Sequence, residues 1–386
     1  MSKTLPMEWN ERLFEECITK VKYTDKQPTK SFLKEGLFPV ISQEKDFING
    51  YSNNKNAVFA VKKPVVIFGD HTKNIKYVDF DFVIGADGVK ILQPIQEINS
   101  KYFYYYLCNI QLRDLGYARH YKLLRGCFVR YPPLSEQKRI VEKLDKIFAN
   151  IDKAKENTKK NLQNAKEIFC SKLQNIFGNK NLHWIKYKLS EITTKIGSGA
   201  TPLGGRKSYI TTGISLIRSM NVHDNQFIYE ELAHITKEQA EKLDNVTIQP
   251  GDLLLNITGA SVARCCVVPE DVLPARVNQH VSILRPISEI INADFLCYLL
   301  TSKPYKKKLL NAGEEGGSTR QALTKEELKC FEVSIPKDIQ KQEDIVAQLD
   351  ALRSKTQELE QIYTKKLADL DELKQSILQQ AFSGKL

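Results

Sequence analysis

Residues able to do chemistry occur here in few of the patterns that chemistry requires. An Asn or Asp ahead of a Pro-Pro pair, with an aromatic behind it, can hold the amino group of a flipped-out base and stack on its ring. In RYPPLSE (residues 130–136) Tyr131 takes the first place and Leu134 the last. The prolines suit a helix start instead. Asp70-His71 is a lone acid–histidine pair. His280, in NQH, is of a kind more often hydrogen-bonded in a structural role than a ligand. The run IGSGATPLGG (196–205) is neither G-x-G-x-x-G nor a phosphate loop, and NAGEEGGSTR (311–320) lacks the Gly-Lys-Ser/Thr end. There is no H-E-x-x-H, no G-x-S-x-G and no metal-ligand spacing. No positive reason for an enzyme emerges, and no cofactor or metal is expected.

The eight cysteines, at 17, 108, 127, 170, 265, 266, 297 and 330, form no C-x-x-C. Scattered thiols support neither zinc nor a disulfide scaffold and suit a reducing cytoplasm. The start, MSKTLPMEWN, has no apolar core of a signal peptide, and no apolar run approaches the length of a membrane span. A cytoplasmic protein is expected. Its 386 residues allow two or three domains, with ordinary hydrophobic content for cores. The net charge of +11 points to a polyanionic partner, most often nucleic acid.

The chain repeats itself. Ile140, Val141, Leu144, Asp145, Lys160, Leu162, Glu167, Leu173, Gln174 and Phe177 recur 205 positions later as Ile345, Val346, Leu349, Asp350, Lys365, Leu367, Glu372, Leu378, Gln379 and Phe382. The register never breaks, as one continuous helix demands. Upstream, Trp9, Glu16, Thr19 and Lys20 recur at a shift of 175, and INSKYFYYYL (98–107) resembles INADFLCYLL (291–300) at a shift of 193. The changing shift places insertions in loops. The layout is a variable domain, a long helix, a second variable domain and a second long helix.

Both helical stretches carry a coiled-coil seam. In the first it runs Ile140, Leu144, Ile147, Ile151, Ala154, Thr158, Leu162, Ala165, Phe169, Leu173. In the second it runs Ile345, Leu349, Leu352, Thr356, Leu359, Tyr363, Leu367, Leu370, Leu373, Ile377. Prolines at 132, 133 and 336 precede the helices, and Gly178 and Gly384 are expected to follow them. Each helix of about 40 residues is about 60 Å long. One antiparallel pair, with a related head at each end and pseudo-twofold symmetry, is the economical arrangement. The alternative is that each helix packs only on its own domain.

The heads mix both kinds of text. Stretches 57–70, 77–92, 213–222, 251–268 and 278–286 are rich in Val, Ile and Phe with glycine punctuation and predict strands and turns. Stretches 100–112 and 293–310 predict helices. Each half is α+β.

Four places together resemble the specificity (S) subunit of type I restriction–modification systems. PPLSEQKRIVEKLDKI (132–147) is similar to that family's central conserved region. QEDIVAQLDAL (342–352), with LKQSILQQAFSGKL (373–386), is similar to its distal one. GDLLLNITGASVARCCVVPEDVLPARVNQHVSILRP (251–286) and VIFGDHTKNIKYVDFDFVIGADGVKIL (66–92) look like two forms of its target recognition domain. The first head lacks the GD-x5-TGA text of the second, and the second helix start, IQKQ (339–342), departs from LSEQ (134–137). The resemblance implies an α+β fold with two globular target recognition domains (1–131 and 179–335). They are separated by two long helices (132–178 and 336–386) forming an antiparallel coiled coil.

It also implies a function. Such proteins read a split duplex target, one domain per half-site, with the helices setting the spacer, since 3.4 Å per base pair turns helix length into a counted gap. They are non-catalytic and dock two adenine-N6 methyltransferase subunits and, further, restriction/translocase subunits; no membrane is involved. Phosphate contacts need Lys, Arg and hydroxyls, and base edges need Arg, Asn, Gln, His, Ser or Thr. On those grounds His71, Thr72, Lys73, Arg119, His120, Tyr121 and Lys122 are candidates for DNA binding in the first half. In the second half they are Ser198, Thr201, Arg206, Lys207, Arg218, Asn221, Thr258, Arg264, Asn278, Gln279, Ser318, Thr319 and Arg320. Asn256 and Asn278 could instead brace turns. Two other readings compete: a non-catalytic coiled-coil scaffold tethering protein partners, and a fused methyltransferase. Unlike heads oppose the first, and the missing cofactor loop opposes the second.

Overall fold

The computed structural model describes residues 9–85, 88–116, 118–178, 183–315 and 322–386. The chain forms two compact units. One joins the residues up to Lys159 with Thr364–Leu386, and the other is Lys160–Tyr363. Each unit holds one head and one part of each long helix.

In the first unit an antiparallel sheet has the order Ile18–Thr19, Val89–Pro94, Val65–Gly69, Ile75–Val78. A second sheet places Phe38–Ile41 parallel to Phe82–Ile84, with Gly50–Ser52 and Val58–Phe59 outside them. The central strand Val65–Gly69 is buried throughout. Alternation along it divides two cores. Val66 and Phe68 face the helix Ser100–Asn109 and the long helices, whereas Val65 and Ile67 face the second sheet.

The second unit repeats this plan despite its different text. Its antiparallel sheet has the order Thr193–Ser198, Val281–Pro286, Leu253–Asn256, Cys265–Val267. Ile214–Ile217 lies parallel to Ala275–Val277, with Ala233–Ile235 on its other side. Leu253 and Leu255 join the core on the helix side, and Leu254 and Cys266 the opposite one. In each unit the strand before the head pairs with the strand after it: Asn10–Leu13 with Phe128–Tyr131, and Ile185–Lys188 with Glu332–Ile335.

The long helices are Leu134–Gly178 and Ile339–Phe382. In the first unit Arg139 donates to the Leu386 carbonyl (2.7 Å), Lys374 pairs with Asp152 (3.2 Å) and Lys155 with Asp371 (2.5 Å). Rising numbers on one helix meet falling numbers on the other, so the two run antiparallel. In the second unit Leu349 shares a core with Leu173 and Phe177. All ten expected seam residues of the first helix are buried or half-buried.

Three expectations need correction. Stretch 293–310 is not one helix: Ala293–Thr301 ends at Ser302, whose buried hydroxyl donates to the Leu299 carbonyl, and Lys303–Glu315 starts anew. Gly178 does not follow its helix but lies within it, whereas Gly384, at φ +75°, does follow. Leu373 and Leu359 stand exposed rather than in the seam. The final turns bury Leu378, Ala381 and Phe382 instead, because Phe382 packs edge-on against Tyr102 and Tyr106 of the head.

Candidate nucleic-acid interface

Some candidate residues of the two heads, His71 to Lys73 in one and Thr258 and Arg264 in the other, fall on equivalent turns of equivalent sheets. In the second unit, strand Leu253–Asn256 turns through residues 257–264 into Cys265–Val267. In the first, Val65–Gly69 turns through residues 70–74 into Ile75–Val78. The Ile257 carbonyl accepts from Leu323 N, and the Asp70 carbonyl accepts from His120 N, so both turns are tied to the segment that follows the head's helices.

In the second head, the register pairs Asn256 with Val281, and Ile257 N donates to the His280 carbonyl. Thr258 and His280 therefore meet just beyond the paired region, with Oγ1 2.5 Å from Nδ1. They line a cavity of about 470 Å³ with Ser219, Met220, Ser261 and Arg264. Arg264 also approaches Nε2 of His223 (3.4 Å). The turn 199–205 is held alongside: Gly199 N donates to the Asn278 carbonyl, and a Cβ at Gly199 would collide with the Val277 carbonyl. Thr201 then donates to the exposed Gln279 (2.5 Å). Thr201, Thr258, Arg264 and Gln279 are thus gathered on one rim. Its polar side chains can offer donors and acceptors to base edges.

Other candidates lie around it. Arg206 pairs with Glu231, whose carbonyl accepts from Arg218, and Arg218 lies over the Tyr209 ring. Lys207 is exposed. Ser198 opens onto a separate cavity of about 640 Å³ with Lys195, Lys325 and Lys329. Asn221 and Asn278 are buried: Asn221 accepts from Arg218 N and donates to the Ile228 and Glu230 carbonyls, and Asn278 accepts from His280 N. Both brace the backbone, as does Asn256, which donates to the Ser219 carbonyl (2.9 Å). Ser318, Thr319 and Arg320 lie outside the described residues.

In the first head His120 is fully buried. Its Nδ1 lies 3.1 Å from the Asp70 carbonyl, and its Nε2 accepts from Leu115 N. Tyr121 N donates to Asp70 Oδ1 (2.8 Å), and the ring packs edge-on against Phe14 and lies 5.3 Å from the Lys90 ammonium. Thr72 donates to the Gln43 carbonyl, and His71 N donates to Gln43 Oε1. Lys73, at φ +60°, pairs with Asp114 (3.0 Å), and that hydrogen bond holds the Asp114 carboxyl below the usual range. Arg119 and Lys122 are exposed. Behind the turn, Lys76 is buried under loop 42–49 and donates to the Ser42 and Asp46 carbonyls and to Asn49 Oδ1. Burial pulls its ammonium down to about 8, against Glu44 and Asp46.

His280, His223 and Met220 were not expected at this rim. The findable signal is the strand register, which carries residue 257 to residue 280 and so brings His280 next to Thr258. No helix among the described residues is long and apolar enough to cross a membrane, and no group of metal-ligating side chains occurs among them.

Known proteins share this architecture. A chain from a structure of complex assembly and conformational transition in the type I restriction–modification system superposes with a TM-score of 0.74 at 20% identity, over 99% of this chain and 100% of that one. The HsdS subunit from Thermoanaerobacter tengcongensis superposes at 0.57 and 20% identity, over 100% and 99%. In sequence, the Escherichia coli type I restriction enzyme EcoBI specificity subunit is 27% identical over 77% of this chain and 68% of its own. The EcoR124I/EcoR124II specificity subunit of Escherichia coli is 23% identical over 84% and 83%. The pattern of the type I restriction modification DNA specificity domain matches twice, at residues 6–164 and 181–368, once over each head and its following helix. Nearly the whole repeat is thereby accounted for, and the chain belongs to the type I restriction–modification DNA specificity family.

Proposed function

We propose that this chain reads a split duplex target as a non-catalytic subunit, one head per half-site. The observation that carries this reading is the placement of two different sets of polar side chains on equivalent turns of equivalent sheets. Turn 70–74 presents His71 and Lys73, with Thr72 bracing it through the Gln43 carbonyl, and turn 257–264 presents Thr258 and Arg264. One scaffold used twice with different side chains suits reading two unlike half-sites. The surplus of basic residues supplies sequence-independent phosphate attraction.

In this reading the chain acts in the cytoplasm. Thr201, Thr258, Arg264, Gln279 and His280 address base edges in the second half-site. Arg206, Lys207, Arg119 and Lys122 address phosphates. Asn221, Asn278 and His120 hold the backbone that presents them. The antiparallel helices keep the half-sites a fixed number of base pairs apart and dock two adenine-N6 methyltransferase subunits, with restriction/translocase subunits joining that complex.

Methylome sequencing of a host expressing the chain with its cognate methyltransferase tests this. Adenine methylation at one split motif is expected. Its absence, with active methyltransferase present, would overturn the reading in favour of a protein-tethering scaffold.

A further inference from the structure

Each head is fastened to its helix by the same two side chains. Gln137 is fully buried at the start of the first long helix. Its Oε1 accepts from Asn99 N (2.8 Å), and its Nε2 donates to the Glu97 carbonyl (2.9 Å) and the Pro132 carbonyl (2.8 Å). Asn99 in turn caps the head's helix Ser100–Asn109. Gln342, also fully buried, repeats every bond: Asn292 N (2.9 Å), the Ile290 carbonyl (3.0 Å) and the Pro336 carbonyl (2.9 Å). Asn292 caps Ala293–Thr301. Farther along each helix, Tyr105 donates to Asp145 and Tyr298 to Asp350, both at 2.5 Å.

Apolar packing already holds each head to its helix, through Leu144 and Phe148 in one unit and Leu349 in the other. Such packing is non-directional and tolerates small slides and rotations. Oriented hydrogen bonds do not. Residues 137 and 145, like 342 and 350, are about 12 Å apart along a helix. Two anchors that far apart oppose pivoting, which one anchor would permit. The heads differ by insertions and by the residues on their rims, yet these fastenings match bond for bond. What the two copies hold in common is an angle of presentation, not the bases presented.

An angle matters because of the geometry of the duplex. One base pair more or less moves a half-site by about 3.4 Å and turns it by about 35°. A head able to follow that displacement would accept several spacers. We propose that Gln137 and Gln342, seconded by Tyr105 and Tyr298, are positioning residues for spacer length. They fix the direction in which each head leaves its helix and so restrict the complex to one gap. This inference rests on the split-target reading above.

The test uses the full chain with its methyltransferase, assayed on duplexes carrying both half-sites at the natural spacing and at one base pair shorter or longer. The variant Gln342→Met with Tyr298→Phe is compared with wild type. Ile283→Val, a change in the sheet core away from the helix, serves as a stability control. The latch variant is expected to keep both half-site sequences while methylation at the wrong spacings rises about tenfold relative to the right one, about 1.4 kcal/mol of lost discrimination. The control keeps the wild-type ratio. A latch variant with that ratio unchanged, at whatever overall rate, overturns the proposal and leaves the split-target reading intact. A wild type with no split target removes both. If the double variant is inactive, Tyr298→Phe alone, which keeps the ring, is read by the same ratio: a rise supports the proposal and an unchanged ratio overturns it.

Discussion

Thr258 and His280 lie side by side at the ends of two neighbouring strands, Oγ1 2.5 Å from Nδ1, with Arg264 in the same cavity wall. Neither is beside the other in sequence. Their contact fixes the tilt of the imidazole at the rim of the second head. Thr258→Val removes the hydroxyl and keeps the volume. It is expected to relax methylation at a base of one half-site by about 1–3 kcal/mol of discrimination, with the other half-site unchanged. A methylome in which both half-sites degrade together would count against the assignment.

Lys207 is exposed and offers only charge. Lys207→Ala is expected to weaken binding to cognate and unrelated duplexes alike and to lower the salt dependence of log K by about one ion. Binding isotherms at several salt concentrations check this. A change confined to the cognate duplex would make Lys207 a base reader instead.

Lys76 gives a pH signature in the first head. Its folded value of about 8 lies below the ordinary lysine value of 10.5. Between those limits the unfolded chain holds a proton that the folded chain has released, so the contribution of Lys76 to stability rises with pH across that window. Denaturant unfolding of wild type and Lys76→Met, repeated near neutrality and near the ordinary lysine value, should show wild type gaining relative to the variant at the higher pH. A gap that does not move means that the buried amine keeps its proton.

Leu144 and Leu349 occupy the same place in the repeat, both fully buried between helix and head. Leu349→Ala is expected to cost about 2–5 kcal/mol by urea denaturation, as large-to-small changes in tight cores do. A cost below about 1 kcal/mol would mean that the site collapses around the smaller residue.

The tyrosine anchors add an alkaline limit. Burial, seconded by the bond to Asp145, raises Tyr105, and burial with Asp350 raises Tyr298. Their stabilisation is full below the unfolded tyrosine value of 10 and declines as pH climbs towards the folded values. Tyr105→Phe and Tyr298→Phe should flatten the loss of stability above that point. Curves parallel to wild type would show that other groups set the alkaline limit.

Much of this architecture is legible in the sequence. A shift of 205 that never breaks from Ile140 to Phe177 specifies two unbroken helices, because one inserted residue would rotate the apolar face. The changing shift upstream separates heads from helices. The end of the seam is less legible, since heptad spacing cannot show that Phe382 turns towards Tyr102 and Tyr106 and leaves Leu373 outside. At the rim, residue type fails to separate presenters from braces. His120 and Asn221 have the right chemistry to touch DNA, but their polar atoms are committed to backbone groups, for His120 at Asp70, 50 residues away. The latch was half visible: Gln137 and Gln342 match across the repeat, but a matched glutamine in a helix start does not disclose a buried one.

The paired strands at the mouth of each head have an evolutionary consequence. Because Asn10–Leu13 lies against Phe128–Tyr131, and Ile185–Lys188 against Glu332–Ile335, the chain enters and leaves each head at one hem. Everything beyond the hem is a cassette. Genes that share only the hem and helix text could trade cassettes by recombination and emerge with a new address on the genome, while the machinery that writes at that address stays as it was.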